Sequence, residues 1–351
     1  MTQIADIDSE RLCAYLESVL PGFNGPVTLE KFAGGQSNPT YRLRTSGVDY
    51  VLRSKPWGEL LKSAHAIDRE FRVMQALKHT DVPVADAYHL CEDASIIGSD
   101  FYLMSYVEAR IFWNPALPEI EPDQRAAYYD EMNRVLAAMH RLDVDVIGLR
   151  DYGRAGNYFE RQIVRWTQQY QASETDINPA MDQLIEQLPL LVPPEDGRIS
   201  LVHGDYRIDN LLFHPTEPRI LAVVDWELST LGHPFADLAY QCMQWRMPNN
   251  GLIQGLGGLD REVLGVPSEA TYVANYCARM GLEGIENWNF YLAFSFFRLA
   301  AIAQGVKKRA VGGNASSSRA LEIGELARPL SEMGLALITS SDCTSRQLEK
   351  A

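Results

Sequence analysis

Three oxygen-bearing side chains stand out by type and spacing: Asp205 within His203-Gly204-Asp205, Asn210 five positions on, and Asp225 fifteen residues further. A carboxylate that orients a hydroxyl and takes its proton, with an amide and a second carboxylate to hold a divalent cation on phosphates, is what phosphoryl transfer from a nucleotide requires. The spacing H-x-D-x-x-x-x-N is that of a phosphotransfer catalytic loop. In this reading Asp205 is the base, while Asn210 and Asp225 offer hard oxygen ligands to Mg2+. Asp225 closes the apolar run Leu221-Ala222-Val223-Val224, which puts its carboxylate at a buried strand end. Arg207, two residues after Asp205, is placed to offset charge on the transferring group. Each residue alone also fits a bland role, as a turn, an Asx turn or a helix cap. The three together at these intervals favour chemistry. No G-x-S-x-G elbow or H-E-x-x-H pair accompanies His203, so it is read as bracing the loop. Asp237 is read the same way, and Asp209 is expected to be exposed and without a role.

The nucleotide would need a cover and a cation. Between two strand-like runs, Gly34-Gly35-Gln36-Ser37-Asn38-Pro39-Thr40 could fold over phosphates through backbone N–H groups, so Gly35, Gln36, Ser37 and Asn38 are candidate nucleotide contacts. In Tyr50-Val51-Leu52-Arg53-Ser54-Lys55, alternation puts Val51 and Arg53 on one face and Leu52 on the other. Arg53 or Lys55 is the candidate phosphate cation. Glu70 falls on the apolar line Ile67, Glu70, Met74 and Leu77 of the following helix, where an unpaired carboxylate would be costly. Pairing with Arg53 or Lys55 would remove that cost. Phe101 to Val107 is an apolar strand against which a purine could lie, which makes Met104, Ser105 and Val107 base-contact candidates.

These residues need a scaffold. Helical periodicity marks 8–20, and strand patterns mark 27–32, 41–45, 49–53, 88–91 and 101–106, with a helix at 63–78 between the third and fourth strands. Beyond 107 the pattern turns helical, at 123–142, 157–171, 178–188, 235–246, 269–280, 288–306 and 318–338. The last helix is expected to kink at Pro329. Short strands at 199–202, 211–213 and 220–224 flank the candidate catalytic loop. The expected fold class is α+β with two lobes: a small antiparallel-sheet lobe over 1–107 and a larger, mainly helical lobe over 108–351.

Composition excludes some partners. With 32 basic against 46 acidic residues the net charge is −14, which repels nucleic acid at long range. The five cysteines are scattered and never form C-x-x-C, so neither a disulfide framework nor a zinc site is expected. No signal-peptide pattern opens the chain, and no apolar run has the length of a membrane helix. A cytoplasmic location is expected, with no membrane partner; the oligomeric state is left open.

The segments at 34–41, 50–53, Arg69-Glu70-Phe71 and 203–210 resemble the aminoglycoside phosphotransferase family, and in particular the kinase-like domain fused to acyl-CoA dehydrogenases in some animal proteins. The resemblance implies a protein-kinase-like fold, ATP or GTP with Mg2+ as cofactors, Asp205 as base, Asn210 and Asp225 as metal ligands, and Glu70 paired to the strand cation. It implies phosphorylation of a hydroxyl on a small metabolite, with a hydroxyacyl-CoA or related hydroxy acid suggested by the fused branch. An aminoglycoside or choline-type acceptor suits the acidic charge. A nucleotide-binding scaffold without turnover is the remaining alternative. Two departures accompany the resemblance: arginine stands where most kinases carry the strand lysine, and Trp226-Glu227 follows the metal-binding aspartate.

Overall fold

Asp8 starts the first helix by accepting from the Glu10 and Arg11 N–H groups, which otherwise have no intrahelical acceptor. That helix, α1, is Ser9–Val19, and Leu12 and Leu16, four apart, supply its buried stripe. The computed structural model describes residues 7–32, 38–57, 66–249, 251–313 and 319–339. After α1 come β1 (Thr28–Lys31), β2 (Thr40–Arg44), β3 (Tyr50–Ser54), α2 (Ile67–Leu77), β4 (Ala87–Cys91) and β5 (Phe101–Ser105). Then follow α3 (Pro122–His140), α4 (Tyr158–Ser173), α5 (Pro179–Gln187), β6 (Ser200–Val202), β7 (Leu211–Phe213), β8 (Ile220–Val223) and β9 (Thr230–Gly232). The chain continues through α6 (Phe235–Cys242), α7 (Arg261–Leu264), α8 (Glu269–Met280), α9 (Trp288–Val311), α10 (Ala320–Glu325) and α11 (Ala327–Thr339).

The contacts divide the chain into two units. The first comprises 1–111, 145–149 and 210–229; the second comprises 112–144, 150–209 and 230–351. In the first, five antiparallel strands run in the order β1-β2-β3-β5-β4. The register sets Leu52 opposite Leu103, and Arg53 opposite Tyr102. Leu43, Leu52, Phe101 and Leu103 form a core with Leu12 and Leu16 of α1. The alternate residues Arg53 and Tyr102 lie on the other face, where Tyr102 bonds to α2. Phe101, Tyr102 and Leu103 are buried in succession because this strand is covered on both sides. The β7–β8 hairpin joins this unit through the Val223 N–H to the Pro83 carbonyl, at 2.8 Å, and through paired backbone bonds between Arg110 and Phe213.

In the second unit, β6 pairs with β9, and α9 is buried almost all round along 290–304. Helix ends follow local chemistry: Ser268 caps α8 at its start, and Gly281 ends it in a left-handed conformation. Among the described residues no helix is long and apolar enough to cross a membrane.

Two expectations need adjustment. The single helix expected at 318–338 is two, α10 and α11, broken at Leu326 rather than kinked at Pro329. Pro329 sits in the first turn of α11, where an N–H has no intrahelical acceptor to lose. The helix expected at 235–246 changes to a 3-10 turn at Met243–Trp245. Of the helix expected at 63–78, residues 63–65 lie outside the described residues and α2 begins at Ile67. Strand β9 and the short α7 carry too few residues to show a period in the sequence.

Leu52 is fully buried at the centre of the sheet. Leu52→Ala is expected to cost about 2–5 kcal/mol, read from the urea midpoint of the transition it belongs to. A loss under about 1 kcal/mol would place this side chain outside the core that the register assigns to it.

Candidate active site

Strand alternation delivers Arg53 to the face of β3 that looks toward α2. Its side chain is only 11% exposed, so its charge requires partners. Nε lies 3.0 Å from a Glu70 oxygen, and Nη2 lies 2.6 Å from Asp225 Oδ1. Nη1 donates to the Thr40 hydroxyl at 3.3 Å, and Glu227 stands 3.9 Å from Nη2. Burial works against the Arg53 charge, but Glu70, Tyr102, Asp225 and Glu227 more than offset it and hold the group above its ordinary value. Lys55 instead pairs with Asp100 at 2.6 Å, so Arg53 is the cation that meets Glu70.

Glu70 is 1% exposed, yet it accepts from Asn38 Nδ2 at 2.9 Å, from Tyr102 Oη at 3.2 Å and from Arg53. Burial pushes its carboxyl upward, with the Arg53 charge opposing. Asn38 thus joins the same cluster. Gly35, Gln36 and Ser37 lie outside the described residues.

Asp225 follows β8 in a left-handed conformation, φ +67°, which a non-glycine residue adopts at a cost of about 1–3 kcal/mol. The β7–β8 register pairs Leu211 with Val223, and the Val224 N–H donates to the Asn210 carbonyl at 3.0 Å. Asn210 and Asp225 therefore stand at the same end of one hairpin. Among the described residues no group of three or more His, Cys, Asp and Glu gathers for a metal. The donor set is an amide oxygen and a carboxylate, both hard. It fits a Mg2+ that takes its remaining ligands from phosphate and water.

At the end of β5, the Ser105 and Tyr106 N–H groups donate to the Asp86 and Asp49 carbonyls, at 2.8 and 3.3 Å. Met104, opposite Val51, is half-buried, and Val107 lies just past the strand end.

Asp205 belongs to the second unit, on the loop after β6. Asp237, in the first turn of α6, accepts from the His203 N–H at 2.6 Å and from the Gly204 N–H at 2.8 Å. His203 Nδ1 in turn accepts from the Asp205 N–H at 3.1 Å, a bracing role. Tyr240, one helical turn after Asp237, donates its hydroxyl to Asp205 Oδ1 at 2.6 Å. Burial raises the Asp205 carboxyl, but Arg207, the Tyr240 hydrogen bond, His203 and Arg298 outweigh it and hold it below its ordinary 3.8. Arg207 sits 3.8 Å from Asp205 and 2.6 Å from Asp209. Asp209 is thus not the exposed residue expected: its side chain is 12% exposed and anchors Arg207. Burial pushes its carboxyl upward.

Sequence reading missed Tyr240 and Arg298. The first shares a helix face with Asp237, and the second is the one charge in the apolar run 290–301. Glu70→Gln weakens the acceptor for two buried donors while Asp225 still neutralises Arg53. The expected cost is about 1.5–3 kcal/mol in urea unfolding; an unchanged midpoint would contradict the cluster.

The pattern of the Phosphotransferase enzyme family matches residues 28–265. Mouse acyl-CoA dehydrogenase family member 10 is 49% identical over 329 residues, covering 93% of this chain but 31% of that protein. This chain therefore spans less than a third of that relative's length. A crystal structure from Ralstonia eutropha JMP134, named after the aminoglycoside phosphotransferases, is 54% identical, covers 94% of this chain and 98% of its own, and has a TM-score of 0.86. Spectinomycin phosphotransferase, solved with ADP and spectinomycin, shares the fold at a TM-score of 0.62 with 13% identity, over 95% and 99% of the two chains. The fold is the α+β, protein-kinase-like one, and the chain belongs to the Phosphotransferase enzyme family.

Proposed function

We propose that this phosphotransferase transfers the γ-phosphoryl group of ATP, or of GTP, to a hydroxyl of a small metabolite. The observation that carries the reading is the ionic cluster of Arg53, Glu70 and Asp225, which sets a buried cation against a carboxylate suited to a metal. Arg53 would contact the phosphates, with Gly35, Gln36, Ser37 and Asn38 contributing to their cover. Met104 would lie against the base. Since the Ser105 and Tyr106 N–H groups are committed, the Val107 backbone would bond to it. Asn210 and Asp225 would hold Mg2+, which when bound draws negative charge from the phosphate oxygens. Asp205 accepts the acceptor's hydroxyl proton as the new O–P bond forms and the bond to the β,γ-bridging oxygen breaks, releasing ADP. Arg207 offsets charge on the moving group.

For the acceptor, two guanidinium groups, Arg207 and Arg298, act on the Asp205 carboxylate. Asp205 and Asp209 offset those two charges, so the local balance by itself selects neither a cationic nor an anionic acceptor. The relative's acyl-CoA dehydrogenase name motivates a hydroxyacyl-CoA or hydroxy acid. The working location is the cytoplasm, with no nucleic-acid or membrane partner.

Wild type and Asp205→Ala, given Mg2+ and ATP with hydroxy acids, hydroxyacyl-CoAs, aminoglycosides and choline, test this directly. Wild type is expected to form ADP and phosphorylated acceptor in equal amounts, and the variant to be about 10²–10⁴-fold slower. Nucleotide binding without turnover in either would mean a scaffold. The pH profile adds a second check. A depressed Asp205 carboxyl stays ionised as pH falls, so the acid limb of kcat/KM is expected below the ordinary 3.8; a limb above about 5 would contradict the assignment.

A further inference from the structure

We infer that Arg298 is a positioning residue for the catalytic carboxylate, acting with Tyr240: it clamps the peptide that precedes Asp205 while Tyr240 fixes one carboxylate oxygen. The inference rests on the reading of Asp205 as the base.

Arg298 is 5% exposed in the middle of α9, the sole charged residue along 290–301. A buried guanidinium is costly unless paired, and methionine or leucine would fill the same volume. Among the described residues no carboxylate lies within ion-pair distance of it. Its contacts are of another kind. Nη2 donates to the Gly204 carbonyl at 2.6 Å, and the rings of Trp166 and Tyr240 each lie 5.4 Å from Cζ. Gly204 has φ +84°, and its N–H donates to Asp237. This residue is therefore held at its N–H by α6 and at its carbonyl by α9, one position before Asp205. Tyr240, on α6, sits beside the same guanidinium and donates to Asp205 Oδ1. Loss of the Gly204 clamp frees the backbone from which the carboxylate projects, and a misplacement of about 1 Å can cost about 10²-fold in rate. The charge has a second effect. Asp205 faces Arg207 and His203 of its own loop, Tyr240 of α6 and Arg298 of α9, with Asp209 close by, and each of the first four stabilises its ionised form.

The test uses the full chain with MgATP and water as acceptor, following phosphate release in wild type, Arg298→Met, Arg298→Lys and Tyr240→Phe. Arg298→Met is expected to lower kcat about 10²-fold with the KM for MgATP within about twofold, and Arg298→Lys to recover part of the loss. Tyr240→Phe, which removes a single oxygen, is expected to move the acid limb of kcat upward. If Arg298→Met does not fold, Tyr240→Phe carries the test, and an unmoved limb overturns the inference. An unchanged kcat in a folded Arg298→Met, or a KM that rises as much as kcat falls, overturns it too. Wild type that transfers phosphate neither to water nor to any hydroxyl acceptor of the panel would overturn the reading of Asp205 itself, whereas active wild type beside equally active variants overturns the positioning role alone.

Discussion

A largely desolvated guanidinium on one face of a β-sheet governs the first unit. Arg53 is carried there by strand alternation and demands anionic partners from whatever packs on that face. Glu70 supplies one from α2, and Asp225 supplies the other from the end of β8. Sheet, helix and hairpin are thereby tied by one charge, and the Arg69 side chain adds a bond from α2 to the Ser229 carbonyl. Asp225 holds its left-handed conformation within this arrangement, with its neighbour Trp226 buried. Arginine suits a cation shared among several acceptors, because its planar fork can serve Glu70, Asp225 and Thr40 at once, where an ammonium is a single point charge.

The second unit solves a different problem, which is to aim a carboxylate from a loop. Asp237 takes up two backbone donors, and the buried His140 stands 3.4 Å from it. Such a network is favourable when its members are satisfied, since each bond strengthens in a dry interior. The outcome is a carboxylate whose backbone, side-chain oxygen and charge are all constrained by neighbours on α6 and α9. A partly buried carboxylate that remains ionised has need of such neighbours.

Much of this was legible in the residues because it depends on local periods. The apolar run before Asp225 placed it at a strand end, alternation along β3 separated Arg53 from Leu52, and helical spacing put Glu70 on an apolar stripe. The choice between Arg53 and Lys55 was not legible, because it turned on Asp100, a partner far along the chain. Asp209 was misjudged for a related reason: a polar loop residue looks solvated until its partner Arg207 is seen to hold it. The break before α11 also escaped notice, since proline marks a helix start as readily as a kink.

We propose that Asp225, at the end of β8, holds a divalent ion on a bound nucleotide. Titrating Mn2+ into the protein with a non-hydrolysable ATP analogue, followed by electron paramagnetic resonance, addresses this without any acceptor. Nucleotide-dependent binding that Asp225→Asn weakens by about tenfold or more is expected. Equal Mn2+ affinity in the two proteins would contradict it.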